Sequence, residues 1–189
     1  GFALTGGLCI AGMFAYIAGS PFVFIELYGV PPEHFGWLFG SNAFGLIAAS
    51  QINGRLLLRH RPERLLRIAS GMQVLSGGVL LIAALTGFGG LWGIVVPLFA
   101  FIAGLGFVLP NATALAMMRY GKTAGSASAL LGTLQFGIAA LAATGVGAAQ
   151  NGTALPMAGV IFGVSCAALL ANRLLAERPA SPLESAKVA

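Results

Sequence analysis

Apolar positions dominate this chain, and the charges that interrupt them are confined to a few places. Residues 1–25, 35–54, 68–118 and 123–172 contain no Asp, Glu, Lys or Arg. A helix needs about 20 apolar residues to cross roughly 30 Å of hydrocarbon. The first two runs therefore predict one span each. The other two are long enough for a pair of spans apiece, and each is broken near its centre, by 86-TGFGG-90 and 150-QNGT-153. The pattern predicts transmembrane helices at 4–27, 35–56, 66–86, 91–118, 124–149 and 154–174. Small residues recur every fourth position in the first helix (Gly7, Ala11, Ala15, Gly19) and around the start of the fifth (Gly121, Gly125, Ala129). That spacing lets helix backbones approach closely where lipid removes the hydrophobic drive for association.

Composition supports the same class. The chain is 58% hydrophobic and 8% charged, whereas a soluble domain carries about a quarter charged residues. The formal net charge of +5 does not mark a nucleic-acid binder, because the positive residues are segregated. Arg55, Arg59, Arg61, Arg64 and Arg67 separate the second and third helices, and Arg119 and Lys122 the fourth and fifth. Arg173, Arg178 and Lys187 follow the sixth, while 28–34, 86–90 and 150–153 hold none. The positive-inside rule puts that side, and both termini, in the cytoplasm. Trp37 and Trp92 open helices on the opposite face, as an aromatic belt requires. The chain starts with Gly and shows no signal peptide, so it is expected to be part of a longer protein. Residues 1–175 form the expected bundle and 176–189 a flexible cytoplasmic tail.

Two segments repeat. IAGSPFVFI at 17–25 matches IAGLGFVLP at 102–110, and 38-LFGSNAFG-45 matches 130-LLGTLQFG-137. The matches pair the first helix with the fourth and the second with the fifth. An odd number of spans separates the members of each pair, so the all-α fold is expected to be two inverted three-helix repeats. Breakers recur in both helices of the first pair: Gly19-Ser20-Pro21 in the first helix, and Gly104, Gly106 and Pro110 in the fourth. Proline kinks a membrane helix, and the freed backbone is tolerated where protein or a wetted cavity satisfies it.

Polar side chains inside the spans are the candidate chemistry. Asn42 and Asn53 share one face of the second helix with Ala49, Asn111 lies in the fourth, and Ser128, Gly132 and Gln135 form a stripe on the fifth. An amide in hydrocarbon is costly, so each must face another helix or water. Cavity lining and plain interhelical hydrogen bonding both satisfy that demand. The first, second, fourth and fifth helices carry such faces and are expected to line a path, with the third and sixth behind them. Glu26 lies one to two turns from the outer end of the first helix, where an acid serves as an interfacial anchor, a gate or a proton site. Cys9 and Cys166 read as unpaired thiols, and the sequon-like Asn151-Gly152-Thr153 as a chance match in a short loop. No metal cluster, phosphate loop or nucleophile constellation is visible, so no cofactor or enzymatic role is expected.

The segments 16-YIAGSPFVFIE-26, 109-LPNATALAM-117 and 124-AGSASALLGTLQFG-137, with Asn42, resemble the Bcr/CflA branch of the major facilitator superfamily. The resemblance spans about residues 5–175 and corresponds to the C-terminal six-helix half of a twelve-helix transporter. The loop 53-NGRLLLRHRPERLL-66 is similar to the superfamily's basic loop signature but lacks an acidic residue after Gly-Arg-Leu. The resemblance implies proton-driven export of drugs and other amphipathic small molecules across the bacterial inner membrane, alongside an N-terminal half. It carries Tyr16, Ser20, Pro21, Asn42, Asn111 and Gln135 as substrate-binding positions, with Glu26 as a candidate gate or proton site. Uptake of a nutrient by the same fold, or a membrane module that transports nothing, are the alternatives.

Overall fold

The computed structural model describes residues 1–118 and 124–175. Arg119, Lys122, Arg178, Lys187 and the expected tail at 176–189 lie outside the described residues. Helix α1 spans Phe2–Pro21 and runs on as a π-helical segment, Phe22–Leu27. Pro21 accounts for the change: it has no N–H to donate and its ring crowds the carbonyl four residues back, so the ladder widens past it. Tyr28 N–H then bonds Val23 O at 3.1 Å, five residues back. Helices α2 (Pro32–Leu56) and α3 (Pro62–Thr86) each start on a proline, at the position where a helix needs no donor. Helix α4 covers Gly90–Met117, α5 Ala124–Ala148 and α6 Leu155–Leu175.

The two predicted breaks are turns. Gly87, at φ 69°, ends α3 in the left-handed conformation and donates to Ala83 O, a glycine role no β-carbon-bearing residue fills cheaply. Asn151 Oδ1 accepts from Thr153 N–H and the Thr153 hydroxyl, and Thr153 Oγ1 accepts from Leu155 N–H at 3.2 Å. The sequon-like triplet is thus the cap that starts α6.

Helices α1, α3, α4, α5 and α6 are long and apolar enough to cross a membrane. Helix α2 has the length but not the apolarity, because Glu33, His34, Asn42, Gln51, Asn53 and Arg55 all fall in it. It still runs alongside α4 over much of the bundle. Gly45 lies on Phe99, Ala49 on Gly106, and Asn53 on Asn111, so the two helices are parallel and in register. Thr5 Oγ1 donates to Ala168 O (3.4 Å), and Gly6 neighbours Ala112. The start of α1 and the ends of α2, α4 and α6 therefore share one end of the bundle. Arg55, Arg59, Arg61, Arg64, Arg67 and Arg173 sit at that end.

The packing has the symmetry the repeats call for. Helix α1 packs on α5 and α6 as α4 packs on α2 and α3; α1 also meets α4, and α3 meets α6. Exchanging α1 with α4, α2 with α5 and α3 with α6 leaves this arrangement unchanged. Gly19 of α1 abuts Met157 of α6, and its sequence equivalent Gly104 abuts Gln73 of α3.

Small residues allow the closest approaches. A Cβ on Gly106 would lie 2.5 Å from Leu46 O and 2.7 Å from Ser50 N. The buried stripe of α2 is Asn42, Gly45, Ala49 and Asn53, with no large apolar side chain in it. Helices α2 and α5 are the edges of the bundle, exposing Phe44, Ile47 and Ile52 on one and Leu130, Leu134 and Leu141 on the other.

Candidate functional site

The six sequence-selected positions divide between two levels of the bundle. The middle level is built where α1 meets α2. Tyr16 is buried on α1, and Asn42 Nδ2 donates to its hydroxyl oxygen at 3.0 Å. The Tyr16 ring stacks on Phe39, with centroids 5.5 Å apart. Phe39 precedes Asn42 by three residues, so one face of α2 holds both ring and amide against the tyrosine. Ser20, one turn after Tyr16, is fully buried and precedes Pro21 at the start of the π-helical segment. π-Type turns inside helices are frequent at functional sites.

The polar satisfaction of this level is incomplete. Ser20 Oγ and Asn42 Oδ1 are buried and have no hydrogen-bond partner among the described residues. An unmade hydrogen bond at a buried polar group costs about 1–3 kcal/mol. Buried serines elsewhere avoid that cost by bonding back along their own helix: Ser70 to Leu66 O (2.8 Å) and Ser165 to Ile161 O (2.7 Å). Ser20 does not.

The inner level is more structural. Asn111 Nδ2 donates to Asn53 Oδ1 at 2.7 Å and to Phe107 O at 2.8 Å, clamping α4 to α2. Asn111 Oδ1 is buried without a partner. Asn53, on the same face of α2 as Asn42, is the partner that fixes Asn111, the interhelical hydrogen bond that an amide in a span calls for. Gln135 is buried on α5 against Gly6 and Gly7 of α1. Ten residues of helix, about 15 Å at 1.5 Å per residue, separate Gly6 from Tyr16 along α1. The structure thus joins Tyr16 with Asn42, places Ser20 one turn on, and sets Asn111 and Gln135 apart from them.

Pro21 and Glu26 are exposed on the bundle, the first acting through the backbone as described. Ser128 is likewise exposed, so the stripe it forms with Gly132 and Gln135 is buried only at its Gln135 end. Gln73 stands out in sequence as a polar exception in the otherwise plainer third helix, but was given no role there. It is buried at 1% exposure, accepts from Cys9 Sγ (3.1 Å) and donates to Phe101 O (3.4 Å), tying α3 to α1 and α4. A lone amide in a helix counted as backing was the signal. Cys9 and Cys166 are free thiols. Among the described residues, no three or more His, Cys, Asp or Glu side chains are grouped as metal ligands.

No protein-family model matches the chain. Two curated proteins do, over most of its length. The uncharacterized MFS-type transporter YdgK of Bacillus subtilis strain 168 is 39% identical over 162 residues, 86% of this chain and 40% of the relative. A bicyclomycin resistance protein homolog of Haemophilus influenzae is 32% identical over 157 residues, 83% of this chain and 39% of the relative. The chain spans about two fifths of the length of these relatives. The likeness to the Bcr/CflA branch inferred from the motifs agrees with both.

Proposed function

We propose that this chain, akin over most of its length to transporters of the major facilitator superfamily, is one of two six-helix bundles of a drug exporter. In this reading the second bundle closes over the edge helices α2 and α5, and the path runs between the bundles. The relatives support transport: one is named a transporter and the other a resistance protein homolog. Export in exchange for protons, across the inner membrane with the basic end inward, is the finer part of the proposal.

One observation carries the substrate site. Tyr16 and Asn42 form a polar pair midway along α1 and α2, with Ser20 one turn further along α1, and the oxygens of Ser20 and Asn42 have no partner among the described residues. In this reading the open oxygens of Ser20 and Asn42 take a polar hydrogen from the substrate. The stacked rings of Tyr16 and Phe39 offer an aromatic surface beside those acceptors. Few polar anchors on an apolar wall suit amphipathic molecules of varied structure. The π-helical segment after Pro21 gives α1 a place to bend as the bundles rock. Asn111 and Gln135, at the inner level, line the same path nearer the basic end, and Glu26 stands by its outer end.

The test is flux in inverted membrane vesicles carrying the full-length protein, energised by an inside-acid proton gradient. Ser20→Ala with Asn42→Ala is expected to lower uptake of a lipophilic drug into the vesicles about tenfold at unchanged protein abundance, the loss of roughly 1.4 kcal/mol of binding. Unaltered flux would remove this site. Flux only in the opposite direction would favour nutrient uptake, and no flux of any kind a module that does not transport.

A further inference from the structure

We infer that the groove between α2, α3 and α4, at the basic end of the bundle, is a binding site for an anionic phospholipid. A cavity of about 500 Å³ opens there, away from the Tyr16–Asn42 group. Leu65, Ile68 and Met72 of α3 form one wall, at spacings that keep them on one helix face. Ala103 and Phe107 of α4 form the other, with Ala100 at its deep end. His60 and Arg64 line the end of it nearest the loop between α2 and α3. Glu63, the nearest acid in sequence, does not line it.

The occupant follows from that division. From Arg64 to Met72 is eight residues, about 12 Å of helix, and the wall between is hydrocarbon. An apolar slot with a cationic rim fits a molecule with an alkyl chain and an anionic head. The groove is continuous with the outward stripe of α3, where Ile68, Met72, Leu75, Val79 and Ile82 are exposed by 48–69%. That stripe faces lipid if the chain is membrane-embedded, so the acyl chain enters sideways from the bilayer. Basic pockets between membrane helices are the recognised setting for anionic headgroups. A cationic drug is disfavoured by the same rim, which separates this groove from the proposed transport path. The inference needs only the membrane placement of the bundle, not export or proton coupling.

Native mass spectrometry of the delipidated full-length protein in detergent tests it, with phosphatidylglycerol and phosphatidylethanolamine of identical acyl chains as probes. Phosphatidylglycerol is expected to bind at least about fivefold more tightly, from roughly 1 kcal/mol per basic residue at a membrane surface. His60→Ala with Arg64→Ala should bring it down to the phosphatidylethanolamine level, and Arg64→Lys should retain the preference. Ala103→Phe, which fills the slot, should weaken both lipids while thermal stability is kept. Equal binding of the two lipids to the unaltered protein overturns the inference. So does an equal loss from Arg55→Ala, an arginine off the groove, which would leave only general surface attraction.

Discussion

Replacing Gly106 with alanine puts the packing account under direct strain. The added Cβ would meet Leu46 O at 2.5 Å, Ser50 N at 2.7 Å and Ala49 Cβ at 2.9 Å. Two of these are backbone atoms, so no rotamer change relieves the clash. Ordinary contact begins at 3.4 Å, and α2 must therefore retreat from α4 by most of an ångström. Overpacking of this kind costs about 1–3 kcal/mol. The better helix propensity of alanine returns up to about 1 kcal/mol. A displaced α2 also stretches the 2.7 Å bond from Asn111 to Asn53, worth about 0.6 kcal/mol on average between membrane helices. The net expectation is a loss of about 1–2 kcal/mol, read from reversible unfolding of the full-length protein in mixed micelles. Gly71→Ala is the control, because nothing lies within 4 Å of its added Cβ. The reasoning fails if Gly106→Ala is as stable as Gly71→Ala.

Three further outcomes are expected. A double-mutant cycle on Asn53→Ala and Asn111→Ala should give a coupling of about 0.6 kcal/mol, up to about 1.7; a coupling of zero would mean the bond contributes nothing in the membrane. Pro21→Ala restores a donor and a regular ladder, so unfolding should become harder by about 1–3 kcal/mol while transport slows; faster transport would contradict the bending role given to the π-helical segment. Gln135→Leu should change resistance to at least one drug with membrane abundance intact, and unchanged resistance to every drug tested would make Gln135 a packing residue only.

The fold was largely legible because its signals are long. Charge-free runs give the helices, arginine placement gives their alternation, and IAG repeats at residues 17 and 102 give the pairing of α1 with α4. Gly19 and Gly104 then occupy equivalent contacts. The site was legible as a set of residue types but not as a geometry. Sequence spacing puts Asn42 and Asn53 on one face, yet nothing in it says that Asn42 meets Tyr16 while Asn53 meets Asn111. The role of Gln73 was hidden for the same reason, because its partners Cys9 and Phe101 lie on other helices. Which amide is satisfied and which is left open is a tertiary property.

The central claim is that the unpartnered oxygens of Ser20 and Asn42 face a passage that water and substrate reach. Ser20→Cys and Asn42→Cys, each in a Cys9→Ala, Cys166→Ala background, make it measurable. In membranes holding the full-length protein, both thiols are expected to react with a water-borne maleimide, and bound drug should slow the reaction. If neither reacts under any condition, with and without drug or a proton gradient, those oxygens belong to a closed core and the passage is not there.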